Sequence, residues 1–264
     1  MIDTVVLRLT KDDFMIIDHD KFTPSTLGLY QHPYYLLKNG YFSCVQNISK
    51  VDKRNGNYMP QLTVIKRATR KGLTIELKVQ FSAPKILYGN NFDEVEDKDF
   101  LEICSLLNMK LYQMGVKTSV RAIRSALLSG IHFSKNIVLT NRMVPWSIIK
   151  EISKCNISQV YSCNNVEYRN NGNAFKIHTN SFELIVYDKL EDLRQSKKSE
   201  KRSLENENYV QLDILDFLQK KLKPFEVFRI ETRLNSAKKI KDILDKVDFV
   251  NTITFENVFS KELS

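Results

Sequence analysis

The segment from Leu73 to Phe81 puts Ile75, Leu77, Val79 and Phe81 in strict alternation with Thr74, Glu76, Lys78 and Gln80, so an extended strand there has one apolar and one polar face. With Gln61 to Lys66 before it and Arg70-Lys71-Gly72 between them, it reads as a β-hairpin. Thr4 to Leu9, Tyr41 to Ile48 after a turn at Asn39-Gly40, and Gly130 to Leu139 also read as strands. The period of two marks a second hairpin, Ala174 to His178 with Phe182 to Lys189, and a late strand from Phe225 to Leu234. Val120 to Leu127 reads as extended too. Helical periodicity appears in Asp93 to Met114, with Phe100, Ile103, Leu107, Leu111 and Met114 on one stripe, acidic residues at its start and Gly115 at its end. Pro145 to Ile152, Leu190 to Glu207, Val210 to Lys221 and Lys238 to Val247 complete the expected helices. Irregular alternation of strands and helices, with hairpins, implies an α+β fold built on a mainly antiparallel sheet with flanking helices. Only 8 Gly and 6 Pro among 264 residues leave no flexible linker, so one domain is expected over residues 1–250, followed by a tail at 251–264.

Composition removes several classes of protein. No apolar run approaches the roughly 20 residues of a membrane-spanning helix, and the N-terminal residues lack the pattern of a secretory signal, which makes the cytoplasm the expected compartment. Cys44, Cys104, Cys155 and Cys163 lie far apart, without the spacing of a zinc ribbon or a redox pair, and read as reduced structural thiols. Lys plus Arg exceed Asp plus Glu by 40 to 31, a formal charge of +9 that suits a polyanionic partner without requiring one.

Two late strands carry the residues with chemical potential. In Phe182 to Lys189 the period of two sets Tyr187 with Glu183 and Ile185, away from Phe182, Leu184 and Val186, and places Lys189 on the tyrosine's face. A phenol with an ordinary value near 10 is ionised in only about one molecule in a thousand at neutral pH, so a nucleophilic tyrosine needs a cation, metal or base beside it. An ordinary amphipathic strand tyrosine fits the same pattern. In Phe225 to Leu234, Arg229, Glu231 and Arg233 share one face: a carboxylate for a metal and two guanidinium forks for phosphate, or a solvated row of salt bridges. His132, on a face with Ser134 and Asn136, and His178, between apolar neighbours, are compatible with metal ligation and equally with structural roles. The run from Lys197 to Arg202 fits a solvated helix face or a DNA grip.

Four segments in order resemble the filamentous-phage gene II replication proteins and the related phage and plasmid replication initiators: Met1 to Leu9; Phe81-Ser-Ala-Pro-Lys85 with Gly89-Asn-Asn91; Val186-Tyr187-Asp188-Lys189-Leu-Glu-Asp-Leu; and Phe228-Arg-Ile-Glu231-Thr-Arg. The resemblance runs from residue 1 to about residue 240. It implies a rolling-circle initiator nuclease that nicks one strand of a phage or plasmid origin in a bacterial host. Tyr187 would be the nucleophile, leaving a 5′-phosphotyrosyl intermediate, with Lys189 assisting. A divalent metal ion, Mg or Mn, would be held by Glu231 and, by position, His132, with His178, Asp188 and Glu76 as remaining ligand candidates. Arg229, Arg233 and Lys85 would contact DNA. The His-hydrophobic-His signature of the wider nicking class is absent, because Phe133 is followed by Ser134. No Gly-rich phosphate loop is present, so unwinding would fall to a host helicase. A non-catalytic DNA-binding replication or copy-control regulator on the same fold is the alternative, and a second tyrosine, Tyr168 or Tyr209, is left open as a helper.

Overall fold

The structure, a computed structural model, describes residues 1–31, 41–47, 57–69, 72–140, 142–155, 165–192, 226–247 and 252–259. The expected turn at Asn39-Gly40, the hairpin tip at Arg70 and Lys71, Cys163, Tyr209, the Lys197 to Arg202 run and the helices expected between residues 193 and 221 lie outside these.

In chain order the elements are β1 (Ile2–Thr10), β2 (Phe14–Ile16), α1 (Gly28–Gln31), β3 (Tyr41–Gln46), β4 (Gln61–Thr69), β5 (Gly72–Ser82), α2 (Ala83–Tyr88), α3 (Phe100–Gln113), β6 (Val116–Thr118), α4 (Val120–Ser125), β7 (Leu127–Leu139), α5 (Pro145–Lys154), β8 (Asn165–Arg169), β9 (Ala174–His178), β10 (Phe182–Asp188), β11 (Glu226–Leu234), α6 (Ala237–Leu244) and α7 (Phe255–Phe259). Among the described residues nine strands form one sheet in the order β3-β4-β5-β1-β7-β11-β10-β9-β8, and every neighbouring pair is antiparallel. Two meanders, β3-β4-β5 and β8-β9-β10, are thus joined through β1, β7 and β11. Strands β2 and β6 pair separately. The fold is α+β with a large antiparallel sheet and flanking helices.

The alternation read in β5 buries Leu77, Val79 and Phe81, which join Val5, Leu7 and Leu9 of β1 and the stripe Ile103, Leu107 and Leu111 of α3 in one core. Burial of side chains of this size, each worth about 1.5–3 kcal/mol, is what fixes the sheet register. Gly115 ends α3 with φ +82°, and a Cβ there would stand 2.6 Å from that of Asp18, so this position needs glycine on two counts. Among the described residues no helix is long and apolar enough to cross a membrane.

Three expectations change. Helix α3 begins at Phe100, after a 3-10 turn at Asp97–Asp99, not at Asp93. Asn90 Oδ1 accepts from the amides of Phe92 and Asp93, and this local turn competes with helical hydrogen bonding. Val120–Ser125 is helical rather than extended, capped by Ser119 Oγ accepting from the Ala122 amide and burying Ala122 and Ile123. Residues 252–259 are no appended tail: Phe255, Val258 and Phe259 are buried, Phe255 meets the Phe81 and Phe100 rings at 5.8 and 5.0 Å, and Leu128 donates to the Ile253 carbonyl.

Candidate functional site

Antiparallel register carries the polar faces of four strands into one row. Arg229, Glu231 and Arg233 of β11 stand opposite Tyr187, Ile185 and Glu183 of β10 on one side, and opposite Asn136, Ser134 and His132 of β7 on the other. On β9, Ala174, Lys176 and His178 continue the face beyond β10. Cross-strand neighbours of this kind are close enough to pair.

The charges alternate in sign across the row. Lys176 Nζ lies 3.3 Å from Glu183 Oε1, Glu183 Oε2 3.5 Å from Arg233 Nη1, and Arg233 Nε donates to Glu231 Oε1 at 2.8 Å. Glu231 Oε2 is 3.7 Å from Arg229 Nε, and Arg229 Nη2 donates to Asp3 Oδ2 at 2.6 Å. Asp3 Oδ1 in turn accepts from Ser82 Oγ at 3.0 Å. Three cations meet three anions, and Arg229 is fully buried, with Glu231 4% and Asp3 5% exposed. Pairing is what makes such burial tolerable.

Tyr187 is part-buried at this face, and its hydroxyl donates to Glu231 Oε2 at 3.4 Å, long for an O–H···O bond. Burial, with Glu231, Asp192 and Asp3 adding to it against Arg229, pushes the phenol well above its ordinary 10, so it is protonated at neutral pH. For Glu231 burial works toward a higher value, but Arg233, Arg229 and His132 outweigh it and hold the carboxyl below the usual range. His132 Nδ1 lies 3.6 Å from Glu231 Oε1, and its Nε2 lies 3.3 Å from Asn235 Oδ1. Burial lowers the imidazole's value despite Glu231, so the ring is neutral at pH 7.

The remaining expected residues divide into those brought to this site and those kept from it. Lys189 does not continue the strand face: it opens a helical turn at residues 189–192 and is 2% exposed, with Nζ 5.6 Å from the Phe92 ring centroid. Burial, then the nearby Arg229 and Lys85, bring its amine down to about 7, against Asp192 and Asp3. Lys85, on α2, therefore belongs to the same neighbourhood; its own Nζ stands 5.7 Å from the Tyr58 ring centroid. Arg233, with a side chain 35% exposed, remains open to a ligand. Arg229 does not: its Nη1 donates to the Asn91 carbonyl and to Asn136 Oδ1, so it braces β1, β7 and the loop after α2 instead of forming a DNA clamp. Asp188 caps the 189–192 turn by accepting from the Glu191 amide, His178 pairs with Glu167 at 2.8 Å near the sheet edge, and Glu76 pairs with Arg8 on β1, at the end away from Asp3. These three are not assembled with Glu231.

The described donors around Glu231 do not by themselves make a site for a divalent ion. Among the described residues no three His, Cys, Asp or Glu side chains come together, and of the expected ligands only His132 stays beside Glu231, whose two oxygens face Arg233 and Arg229. A hard cation asks for about six oxygen-rich positions, and two guanidinium groups already occupy the space around this carboxylate. Sequence reasoning missed Asp3 and Asp192, which help set the charge balance, and Phe92. An acidic residue directly before the apolar run of β1 was the available signal for Asp3.

Comparisons with protein-family models, with curated proteins and with solved structures found no match.

The buried amine gives a direct expectation for stability. Its folded value near 7 lies below the 10.5 of the unfolded chain, so the unfolded state binds more protons between those values. This contribution to stability is fully present above pH 10.5 and is lost as pH falls through 7. Lys189→Met should therefore raise stability at pH 7, by about 1–4 kcal/mol, and flatten the rise between pH 7 and 9.5. Urea unfolding at three pH values measures both; an unchanged slope would sink the assignment.

Proposed function

We propose that this chain is a DNA-nicking and strand-transferring enzyme that starts rolling-circle replication of a phage or plasmid, with Tyr187 as nucleophile. The observation that carries this reading is the Tyr187 hydroxyl donating to a buried, ionised Glu231 held between Arg233 and Arg229. In the reaction the Tyr187 oxygen forms a bond to the scissile phosphorus while the bond from phosphorus to the 3′-oxygen breaks. The phenolic proton passes to Glu231, the 3′-oxygen leaves as a hydroxyl with a proton from water, and the 5′ end remains on the tyrosine. Charge on the transferring phosphoryl group is met by the partly exposed Arg233. Because the phenol is held protonated, proton removal has to accompany attack, and Glu231 is the base in reach. Return attack by a later 3′-hydroxyl closes a circle and regenerates the phenol. Origin DNA is the substrate, a host helicase supplies unwinding, and the bacterial cytoplasm is the setting.

Glu231→Gln should bind the DNA of the element that encodes the chain yet cut it about 10²–10⁴-fold more slowly, in a supercoiled-plasmid nicking assay. Unimpaired cutting would remove Glu231 from the mechanism. Loss of wild-type cutting in EDTA would show that donors outside the described residues complete a metal site. A second reading, a non-catalytic DNA-binding regulator, is favoured by the neutrality of the charge row; it requires salt-sensitive binding and no nick under any condition.

A further inference from the structure

The opposite face of the same sheet end carries a feature that the reaction above does not use. Helix α5 packs against β9, β10 and β11 there, yet Trp146 in its first turn remains 48% exposed. Tyr168 of the edge strand β8 is 60% exposed, and its ring lies 5.3 Å from that of the buried Phe175 paired with it on β9. Between the two aromatics runs the β8–β9 turn, where Asn170, Asn171 and Gly172 take φ of 52°, 56° and 88° in succession. Asparagine is the non-glycine residue that best tolerates this region, so the Asn-Asn-Gly sequence suits a tight, fixed turn. Gly172 presents a bare α-carbon to the indole: a Cβ built there would stand 3.6 Å from Trp146 Nε1. The turn is tied to the nucleophile's strand, since Asn173 O accepts from the amide of Asp188, the residue after Tyr187.

The charges around the two rings are biased toward an anion. Lys150 lies one helical turn from Trp146, with Nζ 4.9 Å from the indole ring centroid, and Arg142 is exposed just before α5. Glu151 is paired with Lys154, and Glu167 with Arg169 and His178, whereas Lys150 and Arg142 have no carboxylate within ion-pair distance among the described residues. Exposed aromatic rings beside cations that no carboxylate neutralises are what a single strand of nucleic acid needs: a surface for any base to stack on and charge for its phosphates. We infer that Trp146 and Tyr168 form a stacking platform for single-stranded DNA, with Lys150 and Arg142 neutralising the phosphates, next to the strand end that presents Tyr187. The platform rests on the reading that the chain handles DNA, and names the form of DNA held.

Trp146 is the one tryptophan of the chain, so intrinsic emission reports on this surface alone. Titration with a twelve-residue oligothymidylate should quench it saturably. In anisotropy measurements with a labelled copy of that oligonucleotide, Trp146→Ala and Tyr168→Ala should each weaken binding about 5- to 150-fold, and Trp146→Phe, which keeps a stacking ring, should lose less. Lys150→Gln should lower the slope of log affinity against log salt by about 0.7. Unchanged affinity in both alanine variants overturns the platform. So does an emission change that follows protein concentration without DNA, which would make the surface a contact between copies. Nicking with a silent Trp146 would sink the platform and leave Tyr187 in place; a quenched Trp146 without a covalent product would do the reverse.

Discussion

Arg229→Met should destabilise the folded chain by about 3–5 kcal/mol, the largest stability effect expected of any single change at the polar face. The guanidinium is fully buried, and its replacement leaves Asp3 5% exposed without its 2.6 Å partner. Two further acceptors, the Asn91 carbonyl and Asn136 Oδ1, lose a donor in the same step. An uncompensated buried carboxylate is the costly element, so Asp3→Asn in the same chain should recover part of the loss. Chemical denaturation of the single and double variants measures the coupling. A single variant within 1 kcal/mol of wild type would show that the brace is not built as described.

Tyr187→Phe should abolish covalent capture of the 5′ end of labelled DNA, with cutting reduced on the order of 10⁴-fold or more, as expected when a nucleophile is removed. Stability should hardly change, because the hydroxyl lost makes a single long hydrogen bond of 3.4 Å, while the ring that fills the space stays. This contrast separates a chemical role from a structural one. If the covalent species persists, another tyrosine is the nucleophile, and Tyr168, exposed on the opposite sheet face, becomes the one to replace next.

Strand identity was legible wherever one face is buried. The alternations in β5, β9, β10 and β11 predict the observed strands, and that of β11 assigns Arg229, Glu231 and Arg233 to one side as found. Periodicity sees the face of a strand but not its neighbours. It could not tell that β1 and β7 would lie between β5 and β11, so Glu76 was grouped with Glu231 although two strands separate theirs, and Asp3 was passed over although it ends the charge row. Nor does it see local side-chain hydrogen bonds, which is why the turn made by Asn90 moved the start of α3 and the cap made by Ser119 opens a helix where an extended segment was expected. Lys189 was assigned to the face of Tyr187 by counting in twos; the strand ends at Asp188, whose carboxylate starts a helical turn, and the count ends with it.

The packing of α7 also sets where this polypeptide can be cut. Shortened to residue 250, it would present the phenyl groups of Phe81 and Phe100 to water and strip Arg124 of the glutamate that neutralises it, so α7 is a lid on the hydrophobic interior and belongs in any shortened version made for laboratory work.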